Sequence, residues 1–339
     1  LDGDPAFALF TDALAALARV PRHPLCLDAT PELAAVSGPA PERWTAIQPW
    51  RPEFLALQAG GFTPRPTLAE TDRDFDIALV RLGRNRARSL AAIAEACARI
   101  TPEGLVLVAG ANALGAASYA RHVGASRSLA RRHGRVFWFG TADAPPAARR
   151  SAWIDAARLA PQGADGHVAA PGVFAWDRVD AGSRLLAESL PATLAGRIAD
   201  LGAGWGYLTA AALARCTAIT AVDLYEADAL ALAAARATTA ALPPHRAVLD
   251  FHWHDATRSL PRGDYDAILA NPPFHDDRVA DPRIGQAFIR TAAAALRPGG
   301  TLWLVANRHL PYEATLASAF ARVAPRAKAN GYKVFAATR

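Results

Sequence analysis

The stretch FDIALV (residues 75–80), a helical run and then ARITPEGLVLVAG (98–110) returns in pattern as YDAILA (265–270), a helical run and AALRPGGTLWLVAN (294–307). Each copy opens a short apolar strand on an aromatic-Asp pair, ends a helix at a Pro-x-Gly turn and closes on a second apolar strand. Short apolar strands separated by helices predict a parallel sheet with helices on both faces. Recurrence of the pattern within 339 residues predicts two copies of one α/β unit.

The copies differ where chemistry would sit. After FDIALV the first reads RLGRNRARS, and its earlier strand candidate, HPLCLDATPELA (23–34), lacks closely spaced glycines. The Gly/Pro/Ala stretch APQGADGHVAAPG (160–172) interrupts the helical pattern on either side, so the expected domains are 1–160, a degenerate copy, and 161–339, the working copy.

In the second half RIADLGAG (197–204) reads as a strand into a glycine turn, and AITAVDL (218–224) as a strand before an Ala-rich helix from about residue 226. VLDFHWHDA (248–256) reads as a strand into a loop. Ligands of such sheets gather outside the carboxyl ends of the strands. Three strand ends there carry candidate ligand groups. Asp200, Gly202, Gly204 and Gly206 close the first, and glycines at alternate positions let backbone approach a ligand. Asp223 is placed to bridge two ribose hydroxyls. Asp255 is placed to accept from an adenine amino group. A helix cap for Asp223 and a turn for Asp255 are the structural alternatives. The nicotinamide-type glycine spacing is not met, since the third glycine comes one residue early.

A fourth strand, Ala267 to Ala270, runs straight into Asn271-Pro272-Pro273-Phe274. Adjacent prolines cannot donate to a ladder, so the strand stops on a stiff elbow that carries an amide and a ring.

The order DLGAGWG, AVD, HDA and NPPF resembles the class I S-adenosylmethionine-dependent methyltransferases that methylate amines, over roughly residues 170–339. PGVFAWDRVDAGSRLLAESLP, the His of NPPFH, ANRHLPYE and the degenerate first copy narrow the likeness to bacterial ribosomal RNA guanine-N2 methyltransferases of the RsmC/RlmG type. The resemblance implies two tandem Rossmann-like domains, each a seven-stranded mostly parallel sheet, with S-adenosylmethionine as cofactor. It also implies transfer to guanine N2, in the small-subunit RNA by preference. Under this reading Asn271 Oδ1 and the Pro272 carbonyl each accept one N–H of the target amine, Pro273 stiffens the elbow and Phe274 stacks on the base. Asn271 also borders the cofactor, while His275, Arg308 and His309 are candidates for the substrate rim. Trp205 departs from the smaller residue expected between the glycines and could alter the pocket rim. Phe174 and Trp176, just before the first strand, either close over the cofactor or pack in the core, with core preferred. DNA adenine or protein glutamine as methyl acceptor, or a non-catalytic RNA-binding assembly factor, are the competing readings.

A net charge of +6 and a pI near 9.6 suit a polyanion partner. The Arg-rich stretches 81–89, 120–135 and 148–153 place that partner on the first half, with Arg131 and Arg132 as test positions. Cys26, Cys97 and Cys216 are isolated, which predicts a reducing compartment and no metal site. No apolar run of roughly 18 residues or basic leader is found, so a cytoplasmic protein with no membrane partner is expected. An internal duplication supplies its own pseudo-dimer, which favours a monomer.

Overall fold

The computed structural model describes residues 4–162, 166–273, 275–276 and 279–339. The chain divides into two compact units, Leu1–Arg158 and Leu159–Arg339.

In the first unit the elements are α1 (Ala6–Ala16), β1 (Pro24–Leu27), β2 (Thr45–Ile47), α2 (Arg51–Ala59), β3 (Phe75–Arg81), α3 (Arg86–Cys97), β4 (Ile100–Ala111), α4 (Ala116–Val123), β5 (Arg127–Arg131), β6 (Gly134–Gly140) and α5 (Ala147–Ala156). Among the described residues the sheet has six strands in the order β2-β1-β3-β4-β6-β5. The first four are parallel, and β6 alone is reversed, antiparallel to both β4 and the edge strand β5.

The second unit holds the hairpin β7 (Ala160–Gln162) and β8 (His167–Ala169), then α6 (Ala181–Ser189), β9 (Ala195–Leu201), α7 (Tyr207–Arg215), β10 (Ala218–Glu226), α8 (Ala229–Ala240), β11 (Val248–Trp253) and β12 (Tyr265–Ala270). The short pair β13 (His275–Asp276) and β14 (Val279–Ala280) follows, then α9 (Pro282–Ala295), β15 (Leu296–Asn307), α10 (Glu313–Ala319), β16 (Arg322–Ala329) and β17 (Tyr332–Thr338). The main sheet has seven strands, ordered β11-β10-β9-β12-β15-β17-β16 among the described residues, with β17 reversed between β15 and β16 as β6 is in the first unit. The first unit reproduces this order with one edge strand fewer, so its sheet has six strands where seven were expected.

The repeated sequence pattern has a physical cause. Phe75 pairs with Ile100 and Ile77 with Leu105, a register break that Tyr265–Leu296 and Ala267–Thr301 repeat. The extra residues bulge at Gly104 and Gly300. A Cβ on Gly104 would stand 2.9 Å from the Phe75 carbonyl oxygen, and one on Gly300 2.8 Å from that of Tyr265, so only glycine fits either place. The Asp after each aromatic ties its strand to the next. Asp76 accepts the backbone N–H groups of Arg22 and His23, and Asp266 accepts that of Arg197.

Successive residues of the second sheet face opposite layers, as strand geometry requires. Ala199, Leu201, Ile268 and Ala270 pack with α9 on one side; Ile198, Val222, Ala267 and Leu269 pack with α6 and α7 on the other. Burial on both faces explains why these strands read as unbroken apolar runs.

Candidate active site

The carboxyl ends of β9, β10 and β12 meet at one place. Strand β12 pairs with β9 as far as Ala270–Leu201, and Asn271 follows beside the glycine turn. That turn is pinned from β10, because the Gly202 and Ala203 N–H groups both donate to the Tyr225 carbonyl, at 2.8 and 3.1 Å. Gly202, Gly204 and Gly206 all have positive φ, at 70°, 56° and 88°, which explains their alternation. A Cβ on Gly204 would meet nothing within 4 Å. The backbone there borders open space rather than packed side chains.

A pocket opens at this point, lined by Phe174, Asp180, Ser183, Asn271 and the segment 202–205, with Tyr207 and Leu208 behind. Asn271 Nδ2 donates to Asp180 Oδ2 at 3.0 Å and to Ser183 Oγ at 2.7 Å. Pro272 is buried and Pro273 exposed. Phe274 and the side chain of His275 lie outside the described residues; the His275 backbone pairs antiparallel with Ala280.

Asp200 is fully buried beneath the turn. Its Oδ2 accepts the N–H and hydroxyl of Thr209, at 3.1 and 2.7 Å, which staples β9 to α7. Burial pushes its carboxyl up to about 6, with Thr209 opposing the shift. Asp200 thus shapes the turn from below and has no exposed surface for a ligand.

Asp223 requires a correction. The strand does not end there: β10 runs three residues further, pairing Tyr225 with His252 and Glu226 with Trp253. Asp223 is fully buried among Arg197 (2.9 Å), His252 (2.8 Å) and Arg262 (3.5 Å), with no surface left for ribose hydroxyls. Glu226 occupies the strand end instead. Its Oε2 accepts the Gly204 N–H and its Oε1 the Asp228 N–H, both at 2.8 Å. Burial pushes the Glu226 carboxyl up to about 7. The helix expected from about residue 226 begins at Ala229, because Asp228 caps it by accepting from the Leu230 N–H.

Asp255 lies in the loop after β11 and organises it, its Oδ1 accepting from the Thr257 N–H and hydroxyl. The Trp205 ring is buried, stacked on His167 at 3.9 Å between centroids, and its Nε1 donates to the Ala175 carbonyl. Phe174 departs from the preferred core placement and stands on the side of the alternative. Trp176 packs against the Trp205 cluster as expected for core, but Phe174 is 60% exposed at the pocket's edge. Arg308 and His309 are exposed just past β15 and do not line the pocket. Among the described residues no group of three His, Cys, Asp or Glu is placed to hold a metal ion, and no helix is long and apolar enough to cross a membrane.

The model of the methyltransferase small domain matches residues 167–336. The chain belongs to the methyltransferase small domain family. Ribosomal RNA small subunit methyltransferase C of Shewanella halifaxensis is 31% identical over 85% of this chain and 83% of its own length. The same-named protein of Shewanella loihica is 35% identical over 60% of this chain and 58% of its own. Among solved structures, the T. thermophilus 16S rRNA N2 G1207 methyltransferase (RsmC), in complex with AdoMet and guanosine, superposes with a TM-score of 0.77 at 25% identity. That match covers 99% of this chain and 92% of the other.

The site residues fit the cofactor of a methyltransferase small domain. A glycine turn faces open space, and a carboxylate stands at the next strand end.

The first unit carries an ion pair at the corresponding place. By the shared register Val80 corresponds to Ala270 and Leu27 to Leu201, which puts Arg81 at the place of Asn271 and Asp28 at that of Gly202. Arg81 donates to Asp28 Oδ2 at 2.8 Å, to the Asp28 carbonyl at 2.9 Å and to Asp4 at 3.0 Å. An ion pair joins the two strand ends that flank the pocket in the second unit.

Proposed function

We propose that the chain transfers a methyl group from S-adenosylmethionine to the exocyclic N2 amine of a guanine in small-subunit ribosomal RNA. The carrying observation is the convergence of the Gly202–Gly206 turn and Asn271 on one pocket. The methyltransferase C relatives and the guanosine-bound structural match support the choice of acceptor.

Glu226 would accept the ribose hydroxyls, the turn would admit the methionine portion and Asp255 would face the adenine. When bound, the cofactor supplies a methyl group activated by its sulfonium. The guanine amine is a poor nucleophile because its lone pair is delocalised into the ring. Asn271 Oδ1 and the Pro272 carbonyl each accept one N–H, which turns the lone pair toward the methyl carbon. As the N–C bond forms and the S–C bond breaks, positive charge grows on nitrogen and the two oxygens stabilise it. The methylated amine then loses a proton to water, so no side-chain base is required. Phe274 offers a stacking face for the base, and Phe174 stands at the rim.

The first unit serves as an RNA-positioning partner, its ancestral site filled by Arg81. Residues 81–158 hold thirteen arginines against four carboxylates, whereas residues 1–80 hold six against eleven. Arg131 and Arg132 are exposed at the β5–β6 turn, within 3.9 and 3.5 Å of Asp12. The protein would act in the cytoplasm as a monomer. A labelled-methyl transfer assay on ribosomal RNA, DNA and protein fractions tests the acceptor: label in RNA is expected, and label in protein or DNA alone would reject it.

A further inference from the structure

Among the described residues the Asn271 side chain is held through its amide nitrogen alone. Nδ2 donates to Asp180 Oδ2 and Ser183 Oγ, at 3.0 and 2.7 Å. A carboxylate is an acceptor only, so turning the amide over would set two oxygens against each other. The amide therefore has one orientation, with Oδ1 opposite the α6 terminus.

The shelf behind it is rigid. Asp180 caps α6 by accepting the Ser183 N–H at 2.8 Å. A Cβ on Gly182 would come within 2.7 Å of the Tyr332 ring, so this helix end packs directly on β17. Asp180 and Ser183 both line the pocket beside Asn271.

We infer that Asp180 and Ser183 are positioning residues that lock the Asn271 amide so that its oxygen, and never its NH2, meets the target amine. The inference rests on the reading of Asn271 as acceptor for that amine. A freely turning amide would present donor to donor for part of the time, which forfeits the hydrogen bond and turns the lone pair away from the methyl.

The test uses Asp180→Ser with Ser183→Ala. Serine keeps a capping oxygen for α6 but is too short to reach Asn271 as well. In the paired variant kcat for methyl transfer is expected to fall about 10- to 100-fold, because an acceptor aimed at developing charge is lost. Affinity for S-adenosylhomocysteine, measured by calorimetry, is expected to stay within about threefold, and adding Asn271→Ala to change kcat by no more than about twofold beyond Asn271→Ala alone. Should the paired variant not fold, Ser183→Ala alone is expected to show the same pattern at about 3- to 10-fold. Homocysteine-product affinity falling in step with kcat would assign Asp180 to the cofactor and overturn the inference. So would an unchanged kcat, or losses that multiply with those of Asn271→Ala. Full activity of Asn271→Ala would instead remove the underlying reading of the acceptor.

Discussion

The backbone N–H of Gly204 donates to Glu226 Oε2 at 2.8 Å, which ties the middle of the glycine turn to the end of the neighbouring strand. One buried carboxylate thereby sets the turn's shape, and under the proposed function its remaining lone pairs would accept the ribose hydroxyls. Glu226→Gln is expected to weaken S-adenosylhomocysteine binding about tenfold or more, as a charged acceptor is replaced by a neutral one. Calorimetry on the folded variant checks this. Unchanged affinity would return the ribose to another group.

The same carboxyl gives a pH signature. Burial holds Glu226 at about 7 and Asp200 at about 6, both above ordinary carboxyl values. Between about pH 4 and 7 the folded chain then carries more protons at these sites than the unfolded chain, so their contribution to stability falls as pH rises. Cofactor affinity is expected to move the opposite way, rising from about pH 6 to 8 as Glu226 ionises. Glu226→Gln should flatten both profiles, and Asp200→Asn only the melting profile.

Asp223 behaves as the structural counterpart. Burial alone would raise its pKa, but the hydrogen bonds from His252 and Arg197 and the charge of Arg197 lower it on balance. Its contribution is present above ordinary carboxyl values and is lost as pH falls through the depressed folded value. Asp223→Asn is expected to cost about 2–4 kcal/mol in denaturant unfolding, because Arg197, Arg262 and His252 lose their shared carboxylate partner. Product affinity measured on the folded fraction should be unchanged.

Gly204→Ala separates space from strain. The new Cβ would enter empty pocket, while φ of 56° costs about 1 kcal/mol for a non-glycine residue. A small drop in melting temperature with loss of most cofactor affinity is expected. Retained affinity would mean that no ligand approaches this backbone.

Arg131→Glu with Arg132→Glu probes the first unit. Both side chains are largely exposed and only loosely paired to Asp12. RNA affinity should fall and the slope of log affinity on log salt should shrink by roughly 2, with homocysteine-product affinity unchanged. An unaltered slope would remove these arginines from the RNA contact.

Much of this was legible in the chain itself, for reasons the structure makes plain. Glycines at 202, 204 and 206 mark positive φ, a backbone property that only residue type can report. The Asn-Pro-Pro elbow marks a strand end because proline cannot donate. The aromatic-Asp repeat marks a buried ring beside a carboxylate that holds neighbouring backbone N–H groups. What could not be read is partnership across the sheet. Asp223 and Glu226 are equivalent on paper, and only β11, pairing as far as Trp253, shows which of them reaches the strand end. Asp180 stands 91 positions before Asn271 and looks like a helix cap, which it also is. Phe174 and Trp176 stand two residues apart in one apolar stretch, and only the fold shows that the first is 60% exposed while the second packs on the Trp205 cluster.

The most direct test is to incubate the protein and its Asn271→Ala variant with small-subunit ribosomal RNA and a deuterated-methyl donor, then digest the RNA and identify the labelled nucleoside by mass spectrometry. The expected result is labelled N2-methylguanosine from the unaltered protein and a loss of about 100-fold or more in the variant, which still binds S-adenosylhomocysteine. Label on any other base atom, or equal labelling by both proteins, would contradict the grip of Asn271 on a guanine amine.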